Sequence, residues 1–155
     1  MTENIVVPQA FKRYWVPTKD QRTGAQNGRL YSVWKHWEGQ RELPPMEAYV
    51  TTFEPHVLKG PHLHKARWGY FTCIKGRVLT VVRDYSGRYY EFVSSEDEPW
   101  TIEVPANMPS ATLNLTGGIA MVINLCNPAW HPDSEDNFDI EFDGYDFAAA
   151  EKRHA

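Results

Sequence analysis

Several things are scarce in this sequence, and each scarcity narrows what the chain can do. There are only two cysteines, Cys73 and Cys126, in 155 residues. Each lies within an apolar, strand-like run, so they read as separate buried thiols of a protein in a reducing, cytoplasmic setting. No apolar run is long enough to cross a membrane as a helix. The opening Met1-Thr2-Glu3-Asn4 has neither the basic nor the apolar region of a secretory signal. Positive charge is not in excess: 16 Lys and Arg face 20 Asp and Glu, a net charge of −4, which argues against a general nucleic-acid binder. No glycine-rich loop is present to cradle a phosphate, and no nucleophile elbow supports a Ser-His-Asp hydrolase. The chain has no internal repeat and no low-complexity tract. Its acidic run from 133 to 146 does not follow EF-hand spacing and reads as a solvated tail.

What the chain does have is strand pattern and turns. Its length suits one domain, 1–155, with a real core. Aromatic residues reach 14%, including six Trp and eight Tyr. Ile5-Val6-Val7 and Tyr14-Trp15-Val16 read as short strands broken by Pro8 and Pro17. Lys19 to Gly28 reads as a loop, Gly28 to Trp34 as a strand, and Gly39 to Pro45 as a second loop. From Met46 the pattern tightens. Met46–Phe53, Tyr70–Ile74, Arg77–Val82, Arg88–Val93, Trp100–Val104, Ser110–Leu115 and Ile119–Cys126 are β-rich runs. Lys75-Gly76, Tyr85-Ser86-Gly87, Ala106–Pro109 and Gly117-Gly118 turn the chain between them. Only Phe147 to Arg153 reads as helix. Many short strands at hairpin spacing predict a β-sandwich or an antiparallel barrel enclosing a pocket. Residues 1–45 are expected at the periphery, 46–128 in the barrel, and 129–155 in an acidic exit segment and tail.

The chemistry-bearing stretch is Lys59-Gly60-Pro61-His62-Leu63-His64-Lys65-Ala66-Arg67-Trp68. On a strand, His62 and His64 share a face. Two imidazoles on one face can bind a metal, move protons or pack. Lys59, Lys65 and Arg67 beside them suit a diphosphate or carboxylate, or guard a strand edge. Trp130 and His131, in the turn-rich exit, are suited to stacking on a base or sugar.

The order of these features resembles a cupin. Gly60, His62, His64 and Gly76 fit the first cupin motif, and Pro105 and Asn114 fit the second. The resemblance implies an all-β fold, a cupin-type antiparallel jelly-roll barrel with a short C-terminal helix. Within that superfamily the chain resembles metal-independent sugar-nucleotide enzymes over about residues 46–147. Lys59-Gly60-Pro61-His62, Val104-Pro105-Ala106-Asn107-Met108-Pro109-Ser110 and Asn127–Glu135 resemble segments of the dTDP-4-dehydrorhamnose 3,5-epimerases. Gly60-Pro61-His62-Leu63-His64-Lys65 matches the Gly-x-His-x-His-Lys motif of the dTDP-sugar 3,4-ketoisomerases.

The resemblance implies proton abstraction next to the ketone of a nucleotide-linked 4-keto-6-deoxy sugar, without a cofactor, in a homodimer. It places His62 as base and His64 as its partner. It puts Arg29, Lys59, Lys65, Arg67, Ser110, Asn114, Trp130 and His131 against the substrate. Gly69, Phe71 and Cys73 are expected to face inward, with Ser110, Thr112 and Asn114 as a small polar wall opposite. The chain also departs from its look-alikes. The cupin metal-binding glutamate falls on Gly69 and the second-motif histidine on Ser110, leaving two imidazoles as a poor metal site. Pro128 and Ala129 occupy the place of the epimerase exit tyrosine, and the family lysine also falls at Gly69. A metal-dependent cupin enzyme and a non-catalytic cupin binding a sugar or other small ligand are the alternatives.

Overall fold

The computed structural model describes residues 5–40 and 43–155. Met1–Asn4, and positions 41 and 42 of the expected loop from Gly39 to Pro45, lie outside the described residues. Among the described residues the chain forms twelve strands and one helix. They are β1 (Gln9–Lys12), β2 (Val16–Lys19), β3 (Gln26–Leu30), β4 (Glu47–Phe53), β5 (Leu58–Leu63) and β6 (Trp68–Lys75). Then follow β7 (Arg77–Arg83), β8 (Tyr89–Ser95), β9 (Trp100–Val104), β10 (Ser110–Asn114), β11 (Ala120–Asn127), β12 (Phe138–Asp139) and α1 (Phe147–Arg153). One sheet has the order β1-β9-β6-β11-β4, a second β12-β5-β10-β7-β8, and β2 pairs with β3 apart from both. The pairing is antiparallel throughout.

Period-two alternation explains how the sheets face each other. Burial alternates along the whole of β11, so Ala120, Val122, Asn124 and Cys126 turn inward. Phe53, Cys73, Val78, Ala120 and Val122 form one interior cluster drawn from both sheets, and Val82, Ile102, Val104 and Met108 form another. Phe71 packs against both. Phe71 and Cys73 face inward, as the cupin resemblance implies. The interior, however, is filled mostly by apolar side chains.

The second sheet is apolar on its outer face too. Leu79 and Val81 alternate with the inward Val78 and Val82, and they join Ala111, Leu113, Phe142 and Ala150 in a third cluster under the C-terminal segment. The Asp146 carboxylate caps α1 by accepting the Ala149 N–H at 3.0 Å. Glu91 on β8 ties the helix down, accepting from Tyr145 Oη, Arg153 and His154 Nε2. The helix spans Phe147–Arg153, the bounds the sequence predicts.

The N-terminal region departs from the sequence reading. No strand covers Ile5–Val7; β1 begins after Pro8 and pairs with β9, so it has a partner within its own chain. Lys19–Gly28 is the tip of a hairpin, not one open loop, because Asp20 closes the turn with Arg22 and Thr23 N–H bonds. Pro17 is tolerated inside β2 because that strand lies in a two-stranded ribbon with a free edge. The region is also anchored rather than loosely peripheral. Arg13 is buried, with a bidentate pair to Glu38 at 2.6 and 2.9 Å and a bond from Nε to Thr101. Gln40 donates to the buried Glu103 carboxylate through both backbone and side chain.

Candidate functional site

The site grows out of an irregularity in β5. Gly60 has φ +94°, and a Cβ there would lie 2.9 Å from the Ser110 carbonyl oxygen, so only glycine lets β5 approach β10 this closely. The register slips at this point: Thr112 opposes Lys59, while Ser110 opposes His62. Directly opposed residues share a face. The extra residue of the bulge therefore puts Lys59 and His62, three positions apart, on the same inner face. His64 follows two residues later.

Each histidine meets a residue of the exit segment. Asp139 on β12 lies directly across from His62, and its Oδ1 is 3.2 Å from His62 Nδ1. That nitrogen is shielded from solvent, and the approach has ion-pair distance without hydrogen-bond alignment. His64 Nδ1 is hydrogen-bonded to the backbone carbonyl of Asp136. A carbonyl only accepts, so His64 carries its proton on Nδ1 and keeps the Nε2 lone pair free. Burial of the ring lowers the His64 pKa below the usual 6.5. The Asp136 carbonyl opposes that shift, and the Arg67 and His62 charges add to it. The Asp136 carboxylate accepts the backbone N–H groups of Lys65 at 2.7 Å, Ala66 at 3.3 Å and Arg67 at 3.1 Å. Residues 130–139 thus form a strap across the barrel mouth.

The strap divides the space. Inside it, His64, Arg67, Gly69, Phe71, Met108 and Ser110 line a cavity of only about 10 Å³, room for one water at most. Outside it, His64, Arg67, Trp130 and Ser134–Asn137 line a second cavity of about 310 Å³. Arg67 borders both, and its Nε is shielded from solvent with no hydrogen-bond partner among the described residues. Gly69 is enforced by its surroundings: a Cβ would lie 2.6 Å from Phe71 Cε2 and 3.1 Å from Asn124 Oδ1. No side chain could project from that position into the mouth.

The residues expected at the site separate into groups. His64, Arg67, Ser110 and Trp130 line the two cavities, Trp130 with 63% of its surface exposed, while His62 lines neither and stands opposite Ser110 on β10. Lys59 shares the His62 face, but its Nζ is committed to Thr51 Oγ1 at 3.0 Å and to the Phe53 ring. Lys65 stacks over Phe138 on the strap. His131 is turned to its own loop, accepting the Asp133 N–H. Arg29 lies on the separate β2–β3 ribbon, stacked on Trp15 at 4.0 Å. Asn114 faces inward but has no capacity left for a ligand. Its amide donates to the carbonyls of Phe53, Glu54 and Gly118, and its oxygen accepts from Thr116 N and Oγ1. It holds a turn, which corrects its placement among the substrate contacts.

Asp136 and Asp139 are missing from the sequence reading, which assigned them to a solvated tail. A usable signal was present: Asn137-Phe138-Asp139-Ile140-Glu141-Phe142 alternates polar and apolar with period two, the pattern of a strand. Among the described residues no group of three or more His, Cys, Asp or Glu side chains could hold a metal ion. The donor set does not fit the cupin metal.

Two face-packed antiparallel sheets with a histidine-bearing strand at the mouth define a cupin jelly roll. No protein-family model and no curated sequence matches the chain. Solved structures do. A dTDP sugar isomerase from Desulfovibrio desulfuricans G20 aligns with TM-score 0.75 at 15% identity, covering 93% of this chain and 92% of that one. ChmJ, a 3′-monoepimerase from Streptomyces bikiniensis solved with dTDP-quinovose, aligns with TM-score 0.70 at 19% identity, covering 89% and 71%. The rmlC epimerase of Mycobacterium tuberculosis gives 0.70 at 19%, covering 90% and 71%. At these identities the likeness establishes the fold.

Proposed function

We propose that the protein is an epimerase or isomerase acting on a nucleotide-linked 4-keto-6-deoxy sugar. The observation that carries this reading is the pairing of His62 with Asp139 at the mouth of a barrel shared with enzymes of that chemistry. The Asp139 carboxylate, within ion-pair reach of Nδ1 but 95% exposed, offers a solvent-screened counter-charge to the imidazolium that forms when Nε2 takes a proton. His62 is the base that removes the proton next to the ketone. His64, neutral and fixed as the Nδ1–H tautomer, sits beside it. Arg67 offers an uncommitted cation for the enolate oxygen or the diphosphate. The protein acts in the cytoplasm as a homodimer on this reading.

Incubation with a dTDP-4-keto-6-deoxy sugar in heavy water tests it. The wild type is expected to place solvent deuterium on a carbon next to the ketone, and His62→Ala to lose that exchange. Absence of exchange with every nucleotide keto-sugar tried, or unchanged exchange in His62→Ala, refutes it. The tight inner cavity favours a second reading, a cupin that binds such a ligand at the outer cavity without turning it over. Saturable binding with no exchange selects that reading.

A further inference from the structure

Epimerisation needs two proton-handling groups, because a base that returns its proton to the same face restores the original configuration. His62 on β5, with His64 just beyond the end of that strand, marks one wall. On the facing sheet, at the same end, the inward side chains are Glu47 and Tyr49 on β4, Asn124 and Cys126 on β11, and Gly69 and Phe71 on β6. Glu47 acts as an acceptor, taking the Trp130 N–H at 3.2 Å and the Cys126 thiol at 3.6 Å. Burial pushes the Cys126 thiol up to about 11. Neither Gly69 nor Phe71 can donate a proton. Tyr49 remains as the O–H acid of that wall.

Tyr49 is built for the role. Its phenol oxygen accepts the Asn124 Nδ2–H at 2.8 Å. Asn124 is fully buried, and its Oδ1 takes the Tyr70 N–H at 3.1 Å, which fixes the amide with its donor end toward the phenol. A donor held against the oxygen stabilises the phenolate left after proton transfer. Position agrees with chemistry. At this end Thr51 on β4 meets Lys59 across the gap between the sheets, and Glu47 on β4 meets the backbone of Trp130 on the strap. Tyr49 lies between Glu47 and Thr51 on the same face of β4. Lys59 shares the inner face with His62, and Trp130 lines the outer cavity with His64 and Arg67.

We infer that Tyr49 is the acid that delivers a proton to the face of the sugar carbon opposite the histidine base. The inference rests on the function proposed above. In the first step a C–H bond breaks, the proton passes to imidazole Nε2, and the electron pair moves onto the ketone oxygen as an enolate. In the second step the enolate re-forms the ketone as its carbon takes the phenol proton from the other face. The phenolate and imidazolium then exchange protons with solvent to reset.

The test follows deuterium uptake and configuration together, in wild type and Tyr49→Phe. Wild type is expected to take up deuterium and invert. Tyr49→Phe is expected to keep taking up deuterium while inversion falls on the order of 100-fold, within the usual contribution of a general acid. Continued exchange also shows that the variant is folded. Inversion within threefold of wild type overturns the inference, as does loss of exchange together with inversion. Fluorotyrosine at position 49 supplies a check that preserves shape. It should move the basic limb of the inversion pH profile to lower pH and leave the exchange profile in place; an unmoved limb refutes the role. A wild type that exchanges but shifts its carbonyl without inverting carbon removes Tyr49 as acid and leaves the function standing. A wild type without any exchange removes both.

Discussion

Asp136→Ala should open the strap without unfolding the barrel. The Asp136 carboxylate accepts three backbone N–H groups, from Lys65, Ala66 and Arg67, of which the first two are exposed and the third is half-buried. A hydrogen bond to a charged group contributes about 1.5–3 kcal/mol when shielded and less when wet. Counting about 1 kcal/mol for each of the three bonds, the closed strap loses roughly 3 kcal/mol. That corresponds to a local opening equilibrium raised on the order of 100-fold. The β12 pairing with β5 and the His64 bond to the Asp136 carbonyl remain, so the loss is local. Native-state amide hydrogen exchange reads it directly. The amides of Lys65, Ala66 and Arg67 should exchange about 100-fold faster, with those of β7 and β10 unchanged. Asp136→Asn keeps one neutral acceptor and should fall between wild type and alanine. Equal acceleration everywhere, or no change at 65–67, refutes the assignment of Asp136 as the strap's anchor.

Three further outcomes follow from the packing and the titrating groups. Gly69→Ala forces a methyl against Phe71 and Asn124 and should cost about 1–3 kcal/mol, seen as a lower thermal midpoint. Asn114→Ala strips the turn around Phe53, Glu54, Thr116 and Gly118 of its hydrogen-bond hub and should cost about 2–4 kcal/mol by urea titration. His64 has a folded-state pKa below 6.5, so between those two values the unfolded chain binds more protons and stability rises with pH. The contribution is complete above about pH 6.5 and is lost as pH falls toward the folded value; His64→Gln should flatten that part of the stability profile.

The barrel was legible because its signal is local. Glycine turns at Gly76 and Gly87, the alternation of β4 and β10 and the apolar runs of β7 and β11 are written in adjacent residues. The alternation of β6 leaves two possible inward faces, and the cupin resemblance selects that of Phe71 and Cys73. The strap was not legible, because β12 has only two residues and its pairing with β5 joins positions far apart in sequence. Asp136 looks like a surface acid until the chain folds back and places it at His64, and Asp139, still exposed, comes to stand across from His62. Asn114 misled for the opposite reason. Its inward direction follows from alternation, but its use is decided by three carbonyls and a threonine brought in by neighbouring turns.

The two halves of the site are coupled through one residue. Asp136 holds the strap through its carboxylate and fixes His64 through its carbonyl. Closing the strap therefore does three things at once: it buries the imidazole, sets its tautomer, and keeps it neutral. The inner cavity holds no more than a water in the closed state, so a sugar reaches Nε2 only if the strap moves outward or the ligand approaches from the outer cavity. In the first case the His64 tautomer is released as the ligand enters and is restored by closure over it. In the second, Trp130, more exposed than a core aromatic would be, is positioned to cover the ligand from the solvent side. The two routes differ in a measurable way. Asp136→Ala speeds ligand entry along the first route and leaves entry unchanged along the second, whereas Trp130→Ala weakens binding only along the second.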